Sequence, residues 1–115
     1  MPKISIVVPC YNEQAALPLF YQEITRVAGE MDYAEFEFVF IDDGSKDDTL
    51  PTLRHLAAQD GRVRFVSFSR NFGKEAGMLA GLEAATGAFV ATMDADLQDP
   101  PVLLTELYRA VTEEG

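Results

Sequence analysis

Asp94, Asp96 and Gln98 are acceptor side chains spaced two apart in a chain of 115 residues. They follow Phe89 to Met93, an apolar run preceded by Thr86-Gly87, which predicts a short strand buried on both faces. If the backbone stays extended past Met93, side chains two apart share a face, so two carboxylates and one amide oxygen converge. Hard oxygens of this kind suit Mg2+ or Mn2+, with substrate phosphates and water completing the shell. The ligand such a centre points to is a diphosphate. The competing reading is a helix cap. It fits Asp99, which precedes Pro100-Pro101 as an N-cap precedes first-turn prolines. It does not fit Asp94 and Asp96, which lie too early to cap and would repel each other without a cation between them.

The elements that position these residues follow from periodicity. Ile4 to Val8 is a β-branched strand that Pro9 closes. Leu17, Phe20, Tyr21, Ile24, Val27 and Ala28 form a helical stripe. Pro18 is tolerated only in the first turn, so that helix begins near Ala15 or Ala16, and Gly29 ends it. Glu35 to Ile41 starts as an alternating strand, ends as a continuous apolar one, and runs into Asp42-Asp43-Gly44-Ser45. Ser45 and Asp48 have capping-box spacing ahead of a helix carrying Leu50, Leu53, Leu56 and Ala57. After the Asp60-Gly61 turn, Arg62 to Phe68 alternates as a third strand and leads into Ser69-Arg70-Asn71-Phe72-Gly73-Lys74. A third helix, Glu75 to Ala85, carries Gly77 and Gly81 on one face, where another element can approach closely. A fourth places Leu103, Leu104, Leu107, Tyr108 and Val111 inward.

Strands alternating with helices predict right-handed crossovers and a mostly parallel sheet covered on both faces, a Rossmann-like three-layer α/β/α sandwich. Ligands of such sheets sit beyond the carboxyl ends of the strands, here Pro9 to Glu13, Asp42 to Ser45, Ser67 to Lys74 and Asp94 to Gln98. All four are polar. Tyr11 and Asn12 offer a ring and an amide to a nucleobase, although tyrosines also fill gaps at strand ends. Asp42 and Asp43 suit a ribose or base N–H, with a simple Asp-Gly turn as the alternative. Arg70 and Lys74 suit phosphate or else begin a solvated helix. His55 faces outward and is inert. No Gly-x-Gly-x-x-Gly or Walker loop is present to cradle a diphosphate, which leaves that task to a metal.

Bulk composition agrees with one globular domain, 48% hydrophobic and 24% charged. No apolar stretch reaches the roughly 18 to 20 residues of a membrane span, and Met1-Pro2-Lys3 enters a strand directly, which predicts a soluble segment made in the cytoplasm. The single cysteine, Cys10, excludes an internal disulfide and a multi-cysteine zinc site; it reads as a small strand-end residue, since a catalytic thiol would want a basic partner. A net charge of −10 argues against nucleic acid or anionic lipid as partner, whereas a bridging cation reconciles it with an anionic nucleotide.

Val7-Val8-Pro9-Cys10-Tyr11-Asn12-Glu13, Asp42-Asp43-Gly44-Ser45, Ser69-Arg70-Asn71-Phe72-Gly73-Lys74-Glu75 and Asp94-Ala95-Asp96-Leu97-Gln98-Asp99-Pro100-Pro101 together resemble family 2 glycosyltransferases. The last two resemble the branch of dolichyl-phosphate mannosyltransferase and the bacterial polyprenyl-phosphate glycosyltransferases. That resemblance implies a GT-A fold of the nucleotide-diphospho-sugar transferase kind. Pro9, Tyr11, Asn12, Glu13, Asp42, Asp43, Asp94 and Ala95 would hold the nucleotide, and Asp94, Asp96 and Gln98 the metal. It also implies an inverting transfer from a nucleoside-diphosphate sugar to a polyprenyl phosphate, an acceptor already ionised near neutrality, its second pKa being about 6. No general base is assigned. Such enzymes continue well past Gly115, so the chain reads as a truncated, amino-terminal donor-binding part of a protein that is membrane-associated on the cytoplasmic side, with a homo-oligomer as one expected assembly. A nucleotide-sugar-binding module without turnover is the alternative. A receiver-like signalling domain is a weaker one, because the chain ends before the fifth strand that would carry its lysine.

Overall fold

A computed structural model describes residues 1–97 and 100–114. Its elements are β1 (Lys3–Cys10), α1 (Leu17–Glu30), β2 (Glu35–Asp42), α2 (Thr49–Gln59), β3 (Val63–Ser67), α3 (Lys74–Ala84), β4 (Phe89–Thr92) and α4 (Leu103–Glu114). The strands form one parallel sheet in the order β3-β2-β1-β4. The long β1 and β2 pair from Lys3↔Glu35 to Cys10↔Asp42. One face carries Ile4, Ile6 and Val8 beside Phe36, Phe38 and Phe40, and is covered by Phe20, Ile24 and Val27 of α1, Leu53 of α2 and Leu104 of α4. The other carries Val7, Val39 and Ile41 under Ala80 and Ala84 of α3. These are the three layers that the alternating sequence predicts.

The approach of α3 depends on its glycines. A Cβ on Gly81 would lie 2.2 Å from Cγ1 of Val7, and one on Gly77 would lie 3.5 Å from Cγ2 of Ile41. The helix therefore rests directly on the sheet, where any side chain at position 81 would force it away.

Several local expectations are corrected. Proline at position 9 does not close β1, which continues to Cys10. The Val7 carbonyl accepts from the Met93 N–H, whereas the Cys10 carbonyl accepts from the Asp43 N–H. Alternate residues thus turn toward β4, Pro9 among them, and β4 leaves the ladder at Val7↔Thr92. The missing N–H faces a position with no strand partner, which is why a proline is tolerated there. Helix α1 starts at Leu17, one or two residues later than expected, and passes through Gly29 to Glu30. No capping box forms at α2. Asp48 is the N-cap without a side-chain bond, Asp47 Oδ1 accepts from the Thr49 N–H, and Ser45 Oγ accepts from the Asn12 N–H instead. Helix α3 is displaced one residue, to Lys74–Ala84.

Strand β4 is not buried on both faces. It is the edge of the sheet, alternately half-buried and exposed, with Val90 42% exposed. Of the five α4 residues expected to point inward, Leu104 is buried and Tyr108 half-buried, the latter edge-on to Phe89 at 5.1 Å between ring centroids. Leu103, Leu107 and Val111 are exposed rather than inward, because nothing flanks β4 on its outer side among the described residues. No helix among those residues is long and apolar enough to cross a membrane.

Candidate functional site

The carboxyl ends of the strands enclose two adjoining clefts. The first, about 450 Å³, is bordered by Pro9, Cys10, Tyr11 and Glu13 at and after the end of β1, Asp43 after β2, Asn71, Gly73 and Lys74 before and at the start of α3, and Asp94, Ala95 and Asp96 after β4. The second, about 430 Å³, lies between the ends of β2 and β3, with Asp42, Ser45, Lys46, Ser67 and Arg70 on its walls. Tyr11 and Asn71 border both.

The first two loops are zipped together. Asn12, at φ 53, donates its N–H to Ser45 Oγ at 2.9 Å and accepts from the Lys46 N–H at 2.9 Å. The Glu13 N–H donates to Thr49 Oγ1 at 2.9 Å. Asn12 therefore uses its amide oxygen to join loops and borders neither cleft. Tyr11 is left 43% exposed, its ring available at the junction.

Asp42 and Asp43 are both buried. Asp42 accepts from the Ser45 N–H at 3.1 Å and from Ser67 Oγ at 3.4 Å, which ties the walls of the second cleft. Asp43 accepts from the N–H groups of Phe72 and Gly73, at 2.7 and 3.0 Å. A carboxylate receiving two backbone donors fixes the loop that carries Arg70 and leads into Lys74. Gly44, at φ 71, permits the contact: a Cβ there would lie 2.3 Å from the carbonyl carbon of Arg70. Arg70 stacks its guanidinium 4.6 Å from the ring centre of Phe72, and Phe72 meets Phe68 edge-on. That Asp43 acts on a loop 29 residues away is not legible in its own motif; the one trace is the glycines at 44 and 73, both of which take positive φ.

After β4 the chain does not stay extended. Ala95 and Asp96 form a turn and Leu97 has φ 62. A turn, rather than a shared strand face, brings Asp94 and Asp96 to the same cleft. Gln98 and Asp99, expected as a metal ligand and a helix cap, lie outside the described residues. Lys74 Nζ contacts Asp94 Oδ1 at 2.8 Å. Burial pushes the Glu13 carboxyl above its ordinary value, and the charges of Asp96, Asp94 and Asp47 add to the rise. Burial likewise pushes the Cys10 thiol far up, in keeping with a small buried residue at the strand end.

The donor chemistry fits a hard divalent cation. Asp94 and Asp96 offer carboxylate oxygens to one cleft, and an ammonium already lies against one of them. No three acids among the described residues are grouped closely enough to hold a metal by themselves, so the remaining ligands would have to come from substrate phosphate, water or Gln98.

Comparison with known proteins places the chain in a family. The chain is 47% identical over 97% of its length to putative glycosyltransferase CsbB of Bacillus subtilis, and 48% identical over 91% to a prophage bactoprenol glucosyl transferase homolog of Escherichia coli. It is 43% identical over 85% to an undecaprenyl-phosphate 4-deoxy-4-formamido-L-arabinose transferase of Pseudomonas fluorescens. It spans 33%, 34% and 29% of those relatives, about a third of their length. S. aureus TarS, solved with UDP, superposes with a TM-score of 0.71 at 25% identity over 96% of this chain and 32% of that one. A mannosyltransferase of Pyrobaculum calidifontis, solved with GDP-Man and Mn2+, superposes with a TM-score of 0.66 at 30% identity over 83% of this chain and 28% of that one. The shared architecture is the GT-A fold. A match to Glycosyl transferase family 2 runs from residue 5 to residue 115, and the chain belongs to that family.

Proposed function

We propose that this chain is the donor-binding part of an inverting glycosyltransferase that moves a sugar from a nucleoside diphosphate to a polyprenyl phosphate. The observation that carries the reading is the pair of clefts joined at Tyr11 and Asn71, one bordered by Asp94, Asp96 and Lys74, the other by Asp42, Ser67 and Arg70. A nucleoside fits the second, with Tyr11 as a stacking face and Asp42 as acceptor for a base or ribose donor. The diphosphate then extends into the first. Asp94 and Asp96, with Gln98 by the family resemblance, would hold Mg2+ or Mn2+ there, and the ion would supply charge neutralisation for the departing diphosphate. Lys74 adds a cation on the same side, and Asp43 keeps its loop in place.

Support for the acceptor comes from the relatives, whose names specify bactoprenol and undecaprenyl phosphate. A lipid phosphate oxygen attacking the anomeric carbon opposite the leaving diphosphate needs little general-base help, because it is already an anion. The acceptor, the membrane association on the cytoplasmic side and any homo-oligomer belong to the full-length protein.

The test has two stages. Calorimetry of UDP and GDP with Mn2+ should give binding that EDTA abolishes and that Asp96→Asn weakens by a few kcal/mol; equal affinity with and without metal would sink the metal role. Full-length protein in detergent, given labelled nucleotide sugars, should label undecaprenyl phosphate. Label on soluble oligosaccharide instead would overturn the acceptor.

A further inference from the structure

We infer that Asn12 and Gln14 are positioning residues for the nucleoside: they border neither cleft, yet they clasp the loop after β1 onto the loop before α2 and so fix Tyr11 against the wall that carries Asp42 and Ser45. The inference rests on the donor-site reading above and adds to it what holds the stacking face in place. The clasp runs in both directions. The Asn12 N–H donates to Ser45 Oγ and Asn12 Oδ1 accepts from the Lys46 N–H, both at 2.9 Å. Two residues on, the exchange repeats: the Gln14 N–H donates to Asp47 Oδ2 at 3.2 Å, and Gln14 Oε1 accepts from the Asp48 N–H at 3.1 Å. Between them the Glu13 N–H donates to Thr49 Oγ1. Each loop satisfies backbone donors of the other, so neither can shift alone. The entry to α2, whose N-cap Asp48 makes no side-chain bond, is thereby held by side chains from another element.

Tyr11 is bracketed by these bonds. Before it, Cys10 pairs with Asp42 and its carbonyl accepts from the Asp43 N–H at 2.9 Å; after it, Asn12 is bound to Ser45 and Lys46. Both anchors belong to the segment that supplies Asp42, Ser45 and Lys46 to the second cleft, so the spacing between Tyr11 and the proposed acceptor Asp42 is set through the backbone. Two requirements meet at position 12. Its φ of 53 lies in the left-handed region, which asparagine and aspartate enter more readily than most side chains, and its side chain must carry an acceptor short enough to reach the Lys46 N–H. Glycine meets the first requirement alone; aspartate meets both.

Two readouts independent of turnover test this on full-length wild type, Asn12→Gly, Asn12→Asp and Gln14→Ala. Calorimetry follows UDP, GDP and inorganic pyrophosphate at saturating Mn2+, and amide exchange is followed over residues 45–49. Asn12→Gly should bind the nucleoside diphosphate that wild type prefers roughly tenfold more weakly, the scale of one hydrogen bond together with part of a stacking contact. Pyrophosphate has no base to stack and should keep its wild-type affinity. Asn12→Asp should restore nucleotide binding to near wild type. Gln14→Ala leaves position 12 intact and should cost about threefold, the scale of one neutral hydrogen bond, which keeps the inference open to refutation even where Asn12→Gly does not fold. Exchange over 45–49 should quicken in Asn12→Gly and Gln14→Ala. Equal losses for the nucleoside diphosphate and pyrophosphate mark a general loosening and overturn the inference. Faster exchange with unchanged nucleotide affinity also overturns it, because the clasp would then not place Tyr11. Asn12→Asp as weak as Asn12→Gly would assign the amide NH2 a direct contact with the ligand and overturn the positioning role. Each of these leaves the donor site standing. Wild type that binds neither UDP nor GDP removes the donor-site reading, and the inference with it.

Discussion

Glu37→Gln tests how the sheet is held beneath the site. Glu37 lies near the start of β2 with its side chain only 5% exposed, in a network that spans the sheet. Ser5 Oγ donates to its carboxylate at 2.6 Å, the Thr86 N–H at 2.8 Å and Arg64 Nη1 at 2.7 Å, and the Gly87 N–H donates to Ser5 Oγ at 2.9 Å. The network ties β1, β2 and β3 to the turn that launches β4, and so fixes the strand leading to Asp94 and Asp96. Burial pushes the carboxyl up, but the bonds from Ser5, Thr86 and Arg64 outweigh it and hold the pKa at about 2, below the ordinary 4.5. That gap converts to about 3 kcal/mol. Because the folded-state value is depressed, this stability is fully present above about pH 4.5 and is lost as pH falls through about 2. Glutamine keeps the shape but turns an NH2 group toward donors, so it should cost about 3 kcal/mol at pH 7. The assay is urea unfolding of wild type and variant from pH 7 to pH 2. Asp60, also held near 2 chiefly by the Arg62 side chain, titrates in both proteins, and subtraction removes it. The difference should shrink to roughly half a kcal/mol at pH 2. A difference that stays constant with pH would refute the charge-based account.

Gly81→Ala should destabilise the protein by about 1 to 3 kcal/mol by overpacking, despite alanine's better helix propensity, because its methyl meets Val7 at 2.2 Å. Thermal unfolding of the double variant with Val7→Ala should recover part of that loss. Asp43→Ala should leave the N–H groups of Phe72 and Gly73 without their acceptor, speed amide exchange across residues 69–74 and weaken nucleoside-diphosphate binding about tenfold or more. Exchange at wild-type rates would show that the loop is held by other contacts.

The sequence by itself determined the elements, their order and the end of the sheet at which the polar clefts lie. Each of these is encoded locally. The β-branched run of β1, the apolar stripe of α1 and the paired glycines of α3 carry their periods in neighbouring residues, and alternation of strands with helices implies the parallel layered sheet. The four strand-end motifs also carried the family. Only the tertiary structure decided what depends on partners distant in the chain. Whether β4 is a central or an edge strand depends on its neighbours, and its apolar run looks the same in either place. Glu37 appears in a pattern that alternates, yet its partners Ser5 and Thr86 are 32 and 49 residues away and convert a surface position into a buried anchor. Asp42 and Asp43 look alike in sequence. The fold turns one into the wall of the second cleft and the other onto the loop before α3, because side chains at adjacent positions of an extended chain point to opposite sides. Asp94 and Asp96 reach one cleft through a turn at Ala95-Asp96, and Lys74 meets Asp94 only because α3 crosses over β1 and β2 while β4 pairs on the far side of β1. Periodicity records which way a side chain points; the path of the chain decides what it meets there.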